Sequence, residues 1–295
     1  MMKKLFQWLA ALFLAAALAL TASGCGGKKQ EALPAGSALT VRILDIGQGD
    51  AMLLSKDGEW ALIDSGDVDH RPDMKKYLKE YGVKKLSKVI ITHPHADHVG
   101  GMYAVFQAAE IGEIWDSAVP AATNTYRTYL KQIKARNIPF HKAEAGDVIP
   151  LFKDVEFRVA GPVKRITEGK KKTPDLNNNS IVGRLTYGGF SMLFTGDAEK
   201  AEERTILESG AELRSDVLKA GHHGSRTSTS KEFLRAVSPK AAVISAGAGN
   251  SYGLPHKETL TALEKAGVSV YRTDRDGTVT ITSDGSESFT IKKEK

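Results

Sequence analysis

Three histidines and one aspartate stand close together in the segment 93–98, which reads His-Pro-His-Ala-Asp-His. Imidazole nitrogens and carboxylate oxygens are the ligands that proteins offer to zinc and to its neighbours manganese, iron and cobalt. The chain has only 8 histidines among its 295 residues, and a solvated loop needs no such concentration of them. The segment therefore predicts a metal site.

The residues on either side of this segment indicate how it is held. The apolar, β-branched run 89–92 is typical of a buried strand, whereas Pro94 and the pair Gly100-Gly101 indicate a loop that turns into the next element. Because the end of a buried strand fixes the start of a loop, we expect the ligands to be presented in a preformed arrangement.

The rest of the chain predicts a mixture of strands and helices. Early alternating segments between 40 and 63 predict strands joined as hairpins, and later predicted strands between 190 and 271 alternate with predicted helices. That order is typical of two mixed β-sheets packed together with helices outside. Further candidate site residues come directly after predicted strands, so we expect the loops at one edge to converge.

The spacing H-x-H-x-D-H after an apolar strand resembles the metal motif of the metallo-β-lactamase superfamily of hydrolases. The resemblance implies an α/β fold, a four-layer αββα sandwich with two mixed β-sheets. It also implies two divalent metal ions, Zn²⁺ or Mn²⁺. His93 and His95 would bind the first ion, and Asp97 and His98 the second.

Two further segments resemble a narrower group. Residues 44–51 (Leu-Asp-Ile-Gly-Gln-Gly-Asp-Ala) and 62–66 (Leu-Ile-Asp-Ser-Gly) are similar to the opening of the lactamase-like domain in the ComEC family of competence proteins, which take up DNA. The resemblance implies that Asp64 supports the metal loop without being a ligand. Its alternative role is to form a turn, and the two roles are compatible. The stretch 47–50 is predicted to be a turn.

Three later segments would complete the ligand set. Asp197 matches the superfamily's bridging aspartate, whose two oxygens can hold two cations about 3.5–4 Å apart, and its alternative role is to cap the following helix. Residues 221–225 (Gly-His-His-Gly-Ser) resemble the competence domains and also surface phosphorylcholine esterases. This resemblance implies that one of His222 and His223 binds the first metal and that the other donates a proton or contacts a phosphate. The alternative is that both are solvated histidines at a helix start. His256 would complete the second metal, or is a surface residue.

One departure from the superfamily concerns segment 175–180, which lacks the histidine that many members have there. Within it, Asn178 and Asn179 are candidates to hydrogen-bond a substrate oxygen, and a simple turn is the alternative. Ser225 and Arg226 are candidate donors to a phosphate, or they belong to a capping loop before the next helix. An aspartate at 197, where true β-lactamases often use a thiolate, argues against lactam hydrolysis.

The N-terminus predicts an exported lipoprotein. A basic start and a Leu/Ala-rich run at 5–20 precede small residues and then Cys25, which is the one cysteine of the chain. This resembles a bacterial lipobox, which implies a signal peptide at 1–24, cleavage before Cys25 and a lipid on that cysteine. The alternatives are an uncleaved signal anchor or a soluble secreted form, and all of them export the domain.

The remaining chain is expected to contain a flexible tether at 25–39 and one hydrolase domain at 40–295. The formal net charge is +6, and removing two signal-peptide lysines leaves +4 (6 − 2). This excess favours an anionic partner such as nucleic acid, teichoic acid or a membrane surface. The basic loop 164–172 either contributes to such binding or is simply solvated. A monomer is expected.

The residues predict hydrolysis. Two divalent cations lower the pKa of a shared water from about 16 toward about 7, and the resulting hydroxide attacks phosphorus or a carbonyl carbon. Asp97 would orient it, and a histidine of the pair 222–223, with His222 as the candidate, would protonate the leaving oxygen. The favoured function is a membrane-anchored, extracytoplasmic phosphodiesterase or nuclease. The alternatives are a phosphorylcholine or teichoic-acid esterase, and a non-catalytic, metal-containing DNA-binding lipoprotein.

Overall fold

The computed structural model of the protein describes residues 38–168 and 172–295. The predicted signal peptide, Cys25 and nearly all of the predicted tether lie outside the described residues, as do Lys170 and Lys171 of the basic loop. Within the described ranges, no helix has the length and apolar composition needed to cross a bilayer.

Eight strands form the first sheet, which combines strands from the N-terminal half with the last two strands of the chain. In spatial order these are β17 (Thr290–Lys293), β16 (Val279–Ser283), β1 (Leu39–Ile43), β2 (Met52–Lys56), β3 (Glu59–Ile63), β4 (Lys85–Ile91), β5 (Glu110–Asp116) and β6 (Phe140–Lys142). The strands from β3 to β6 run parallel, and the other neighbours run antiparallel.

Seven strands form the second sheet. In spatial order these are β15 (Ser269–Arg272), β14 (Ala241–Ile244), β13 (Val217–Lys219), β12 (Phe190–Phe194), β11 (Val182–Tyr187), β8 (Val155–Gly161) and β7 (Val148–Phe152). The strands from β12 to β15 are parallel, and the others pair antiparallel. A separate ribbon pairs β9 (Thr167–Glu168) with β10 (Thr173–Pro174).

Helices cover the two outer faces. They are α1 (Arg71–Glu80), α2 (Ala96–Val99), α3 (Met102–Ala108), α4 (Asn124–Ala135), α5 (Lys200–Ser209), α6 (Lys231–Val237), α7 (Lys257–Lys265) and α8 (Thr273–Asp276). Short 3-10 turns occupy Val68–His70, Asn177–Asn179 and His222–Gly224.

Three apolar clusters separate four layers. Successive side chains of a strand point to opposite faces, so Ala61 and Ile63 of β3 enter the cluster between the two sheets, whereas Leu62 packs against the helices. The second cluster joins the first sheet to α1, α3 and α4, and the third joins the second sheet to α5, α6 and α7. The predicted αββα sandwich with two mixed sheets is confirmed.

Predicted and observed elements differ mainly at short or edge segments. The strand predicted at 89–92 corresponds to the end of β4, which stops at Ile91. The strands β6 and β7 were not predicted: β6 has three residues and little burial, and β7 contains Pro150, which is tolerated in an edge strand because one backbone donor is missing.

Strand ends from both sheets meet at one edge of the sandwich. The parallel strands β3 and β4 lead into Asp64 and His93, and the parallel strands β12 and β13 lead toward Asp197 and His223. Ile181 precedes β11 of the second sheet, and Thr92 follows β4 of the first sheet. The backbone N–H of Ile181 donates to the carbonyl oxygen of Thr92 at 2.9 Å. The fold thus places the candidate ligands of both sheets side by side.

Asp116 is the last residue of β5, and its carboxylate connects α4 to the first sheet through hydrogen bonds. The hydroxyls of Tyr126 and Tyr129 donate to its two carboxylate oxygens at 3.1 and 3.0 Å, and the backbone N–H of Ala118 donates at 2.7 Å. The carboxyl group is fully buried. Burial raises the pKa of Asp116 to about 6, in spite of these three donors.

We expect Asp116 to make the free energy of unfolding fall as the pH rises from about 4 to about 7. Its pKa rises from 3.8 to about 6 on folding, so the folded state binds more protons between these values and stability is lost as the proton leaves. Asp116→Asn cannot ionise, so its stability relative to the wild type should be about 2 kcal/mol greater at neutral pH than at pH about 4. Urea unfolding at both pH values measures this difference, and an equal difference at the two would contradict it.

Candidate metal centre

The segment 93–98 begins directly after β4 and runs into α2. The backbone N–H of His98 donates to the carbonyl oxygen of His95 at 3.1 Å, which folds the segment into a compact turn. His93 and His98 are fully buried, whereas His95 and Asp97 are partly exposed. The imidazole Nε2 of His93 lies 3.0 Å from Nδ1 of His95, so these two rings direct nitrogens to the same point.

Asp197 joins this segment to the second sheet. Its Oδ2 atom lies 3.3 Å from Nε2 of His98 and 3.6 Å from Nε2 of His93. Nε2 of His223 lies 3.7 Å from the same oxygen and 3.1 Å from Oδ2 of Asp97. The carboxylate of Asp197 is therefore shared between nitrogens from both halves of the chain.

The described residues contain three groups of candidate ligand atoms, and within each group the atoms lie within 4.8 Å of one another. The group of Asp50, Asp64 and His98 includes only one predicted ligand, and the other two groups consist of predicted ligands. One of these two contains Asp97, His98, Asp197 and His223. The other contains His93, His95 and Asp197. Asp197 belongs to both groups, so the structure brings together six of the seven residues predicted to be ligands.

The chemistry of these atoms fits a divalent cation. Nε2 of His98 and Oδ1 of Asp197 are buried and have no hydrogen-bond partner among the described residues. Buried polar atoms rarely lack partners, and both atoms belong to the groups just described. Imidazole nitrogens and carboxylate oxygens form a borderline donor set that suits zinc and its transition-metal neighbours. We conclude that the cluster can bind divalent metal.

Buried imidazoles and carboxylates shift one another's protonation in this cluster. Burial opposes charge on Asp197, but His98 and His223 hold its pKa well below the usual range. Burial also opposes charge on His98, but Asp197 and Asp97 raise its pKa well above the usual range. Burial opposes charge on His223 as well, but Asp197 helps to raise the pKa of His223 to about 10. Cation binding at neutral pH therefore requires these imidazoles to release protons.

Asp64 stands behind His98. It is fully buried, and its Oδ2 accepts from Nδ1 of His98 at 2.9 Å and from the hydroxyl of Thr92 at 2.7 Å, while its Oδ1 accepts the backbone N–H of Thr92 at 2.8 Å. A proton on Nδ1 leaves Nε2 of His98 free to donate its electron pair to a cation. This is the supporting position that the sequence resemblance implied for Asp64.

Asp50 and Lys219 were missed by the sequence analysis. Nζ of Lys219 lies 2.8 Å from Oδ2 of Asp50, and both side chains are completely buried. Oδ1 of Asp50 lies 3.4 Å from Nδ1 of His223. The stretch 47–50 looked like an ordinary turn, and a lysine inside a short strand carries no signal of burial. The buried side chain of Lys219 becomes visible only in the folded structure.

The backbone is strained at three of these positions. Asp64, His222 and His223 have φ values of 54°, 47° and 52°, which non-glycine residues seldom adopt. Such conformations persist where the surroundings impose them, and they concentrate at functional sites. Because His222 and His223 are consecutive left-handed residues, their side chains point in different directions although the two residues are adjacent.

His222 lies at the rim of the cluster and not inside it. Its Nδ1 is 3.0 Å from Oε1 of Glu199, and its Nε2 is 3.8 Å from Oδ2 of Asp197. The side chain is 25% exposed, compared with 2% for His223. Burial opposes charge on His222, but Glu199 and Asp197 raise its pKa. Of the two alternatives left by the sequence, the structure places His223 among the ligand atoms and His222 at the solvent side. His223 lies in the group of Asp97 and His98, the predicted ligands of the second metal, and not in the group of His93 and His95, to which the sequence had assigned it.

Two predicted substrate contacts are engaged in the fold. The side-chain oxygen of Asn178 accepts the backbone N–H groups of Glu199 and Glu202, at 3.2 and 3.1 Å, and its amide nitrogen donates to Asp175 at 2.6 Å. Asn178 therefore caps the start of α5. Asn179 is buried, and its side-chain amide bonds to the backbone of the preceding loop. Both asparagines thus have structural contacts in the turn Asn177–Asn179, and their predicted contact with substrate stays a prediction.

The other outlying candidates lie beside the cluster. Nδ1 of His256 accepts the backbone N–H of Arg226 at 3.1 Å, and His256 is in none of the three ligand groups of the described residues. The hydroxyl of Ser225 is buried and lies 2.9 Å from that of Thr227. The side chain of Arg226 is 61% exposed, 4.0 Å from Glu258. The roles predicted for His256, Ser225 and Arg226 stay predictions.

The family model described as the metallo-β-lactamase superfamily matches residues 44–248. The chain belongs to this superfamily. Its members include metal-dependent hydrolases, and the ligand groups described above give this member the means to bind divalent metal.

Curated relatives place this superfamily member near competence proteins. ComE operon protein 3 of Bacillus subtilis (strain 168) is 31% identical over 257 residues, which are 81% of this chain and 32% of that protein. Competence protein ComA of Neisseria gonorrhoeae is 32% identical over 260 residues, 88% of this chain and 34% of that protein. The chain thus spans about a third of the length of these relatives.

A solved structure supports the fold. The metallo-β-lactamase fold protein YhfI of Bacillus subtilis matches with a TM-score of 0.53 at 12% identity, and the match covers 84% of this chain and 100% of that chain. At this identity the match supports the αββα sandwich alone.

We expect Asp197→Asn to lower the affinity for metal at both ligand groups, because this residue offers an oxygen to each. Loss of a bound carboxylate should reduce the zinc content of protein purified with zinc and dialysed, and should abolish most of the increase in melting temperature on adding Zn²⁺. Elemental analysis and thermal unfolding measure both effects.

His141→Ala is the matched control for that variant. Its imidazole is exposed at the end of the first sheet and contacts Glu113 at 3.6 Å. The control should keep the metal content and the thermal shift of the wild type. An Asp197→Asn variant that keeps them as well would remove Asp197 from the metal site.

Proposed function

We propose that this metallo-hydrolase is an exported phosphodiesterase that cleaves DNA or another phosphodiester with the help of two divalent cations, Zn²⁺ or Mn²⁺. The observation that carries the proposal is the position of Asp197, whose carboxylate lies between two groups of ligand atoms. A shared carboxylate of this kind is typical of two-metal sites, which act on phosphate esters by holding the attacking and leaving oxygens.

The surroundings of the cluster offer cationic contacts to an anionic substrate. An open depression beside His222 is lined by Asn178, Glu199, Lys200, Ala201, Arg226, Thr227 and Glu258. Its two cationic side chains, Lys200 and Arg226, can bind phosphate oxygens next to the scissile bond, and arginine does so with two parallel hydrogen bonds. The similarity to competence proteins favours DNA among the phosphodiesters.

When bound, the cations would lower the pKa of a water molecule and polarise the phosphate. Asp97 is suited to orient the attacking water, because its side chain is 30% exposed and Oδ2 lies 3.1 Å from Nε2 of His223. An ionised carboxylate accepts hydrogen bonds and so fixes the direction of a water lone pair.

His222 is suited to protonate the leaving oxygen. Glu199 accepts hydrogen bonds only, so the contact of 3.0 Å places a proton on Nδ1 of His222. Because the carboxylates around His222 raise its pKa, Nε2 also holds a proton over a wider pH range. Nε2 is the atom nearer Asp197, and it can transfer this proton to an oxygen leaving the site.

We also propose that the protein is held at the outer face of the cell membrane by a lipid on Cys25. The support is the sequence of residues 1–25, which combines a basic start, an apolar run and small residues before the cysteine. The tether 25–39 would let a monomeric domain reach a substrate near the membrane.

A substrate panel tests the proposed activity. Purified protein with Mn²⁺ or Zn²⁺ should cleave single-stranded DNA and a simple diester such as bis(p-nitrophenyl) phosphate. Preferential release of p-nitrophenol from its phosphorylcholine ester would favour the esterase alternative. DNA binding without turnover with either metal would favour the non-catalytic alternative, and both results would contradict the nuclease.

Asp97→Ala should lower the rate of DNA hydrolysis by at least about 100-fold, because it removes a ligand oxygen and the group that orients water. The circular dichroism spectrum should stay that of the wild type, since α2 begins at the preceding residue and alanine is a good helix former. An unchanged rate would exclude Asp97 from the reaction.

Cys25→Ser should move the protein from the membrane fraction to the soluble extracytoplasmic fraction, because serine provides no thiol for the lipid. Immunoblots of cell fractions measure the distribution. Protein that stays at the membrane after this change would show that another segment anchors it.

A further inference from the structure

The ion pair between Asp50 and Lys219 lies directly behind the metal ligand His223. Asp50 belongs to the turn between β1 and β2 of the first sheet, and Lys219 ends β13 of the second sheet. Their charged atoms are 2.8 Å apart, and neither side chain has any exposed surface. Lys219 also donates to the carbonyl oxygen of Ala220 at 3.1 Å.

The two oxygens of Asp50 have different neighbours. Oδ2 faces Lys219, and Oδ1 lies 3.4 Å from Nδ1 of His223. The same Nδ1 lies 3.2 Å from the carbonyl oxygen of Ser245. A carbonyl and an ionised carboxylate can only accept, so Nδ1 must carry hydrogen. Nε2 of His223 then faces Asp97 and Asp197 in the ligand group, and its electron pair becomes available to a cation when this nitrogen releases its proton.

The same device operates at the neighbouring ligand. His98 is backed by the buried carboxylate of Asp64, which is held in turn by the neutral donors of Thr92. For His223, the corresponding carboxylate is that of Asp50, and it is held by the ammonium group of Lys219. Both imidazoles of the group that contains Asp97 and Asp197 are thus oriented from behind by a buried acid.

Stability alone does not account for a buried pair of this kind. Removing a lysine and an aspartate from water costs free energy that their attraction repays only in part, and apolar replacements of both are often neutral or stabilising. Breaking such a pair by removing one partner is strongly destabilising, since a buried charge is left uncompensated. The pair therefore has a small net effect on folding, and its contacts suggest another role.

We propose that Asp50 and Lys219 are positioning residues for the metal ligand His223. Lys219 fixes the carboxylate of Asp50, and Asp50 holds His223 in the orientation and tautomer in which Nε2 binds the cation. Outer partners of this kind typically change metal affinity by about 10–100-fold. The inference depends on metal binding alone and stands whatever the substrate is.

The test compares the wild type with Lys219→Met, Asp50→Ala and the double variant Asp50→Ala/Lys219→Met. The dissociation constant for Zn²⁺ is measured at one fixed pH by competition with a chromogenic chelator, and the midpoint of urea unfolding is measured for the metal-free proteins. Each variant should bind Zn²⁺ about 10–100-fold more weakly. The single variants should also unfold at lower urea concentrations, whereas the double variant should recover most of the wild-type midpoint.

The double variant separates positioning from stability, because its folding recovers while its metal affinity does not. Replacing alanine by asparagine, in Asp50→Asn/Lys219→Met, restores an acceptor opposite Nδ1 of His223 and should recover part of the affinity. Lys293→Met is the control, since it breaks an ion pair of the same length, 2.8 Å to Asp276, at a partly exposed position. It should leave the affinity for Zn²⁺ unchanged.

Wild-type affinity for Zn²⁺ in the double variant would overturn the proposal. A second measurement needs no variant, so it decides the question even if the variants fail to fold. Long-range ¹H–¹⁵N NMR spectra of the zinc-loaded wild type should show His223 protonated at Nδ1 and metal-bound at Nε2. The opposite tautomer would overturn the proposal as well.

Discussion

Charged side chains taken out of water must be balanced by other charges, and this requirement governs the edge where the strands of both sheets end. Asp50, Asp64 and Asp197 are buried there together with imidazoles and one lysine. The charges are balanced across the two sheets. Asp50 of the first sheet faces Lys219 of the second, and Asp197 of the second sheet faces His98 of the first. The same ion pairs therefore contribute to the free energy of docking the two sheets and to the assembly of the site.

This balance explains why the site tolerates strained backbone. Left-handed conformations at Asp64, His222 and His223 each cost about 1–3 kcal/mol. The surrounding contacts fix these residues from several sides, and the strain in return sends two neighbouring histidines to different places. One lies among the candidate ligand atoms, and the other stands at the rim beside Glu199. The competence-like string Gly-His-His-Gly-Ser thus encodes two roles in adjacent residues.

The sequence predicts those parts of the site that depend on short spacing or on strand ends. His93, His95, Asp97 and His98 are contiguous, so their convergence follows from one loop after one strand. Asp197 also stands just after a strand, and parallel strands bring such positions together. The fold class follows from the order of hairpins and alternating helices, and the superfamily match agrees with it.

Other parts depend on contacts that no local pattern records. Asp50 and Lys219 are far apart in the chain, and a turn aspartate and a strand lysine are each ordinary alone. Asn178 has the residue type of a substrate contact, but its oxygen is used by the backbone of α5. His222 and His223 are equivalent in the sequence, and only their exposure and their contacts in the folded structure distinguish them.

The separation of the ligands along the chain has a consequence for how the protein is made. His223 contacts Asp97 across 126 positions of sequence. During synthesis the histidine-rich segment therefore leaves the ribosome long before its partners, and for that period it is an incomplete chelator with an open side. The complete set of candidate ligand atoms exists only after β13 and the turn beyond it have been translated.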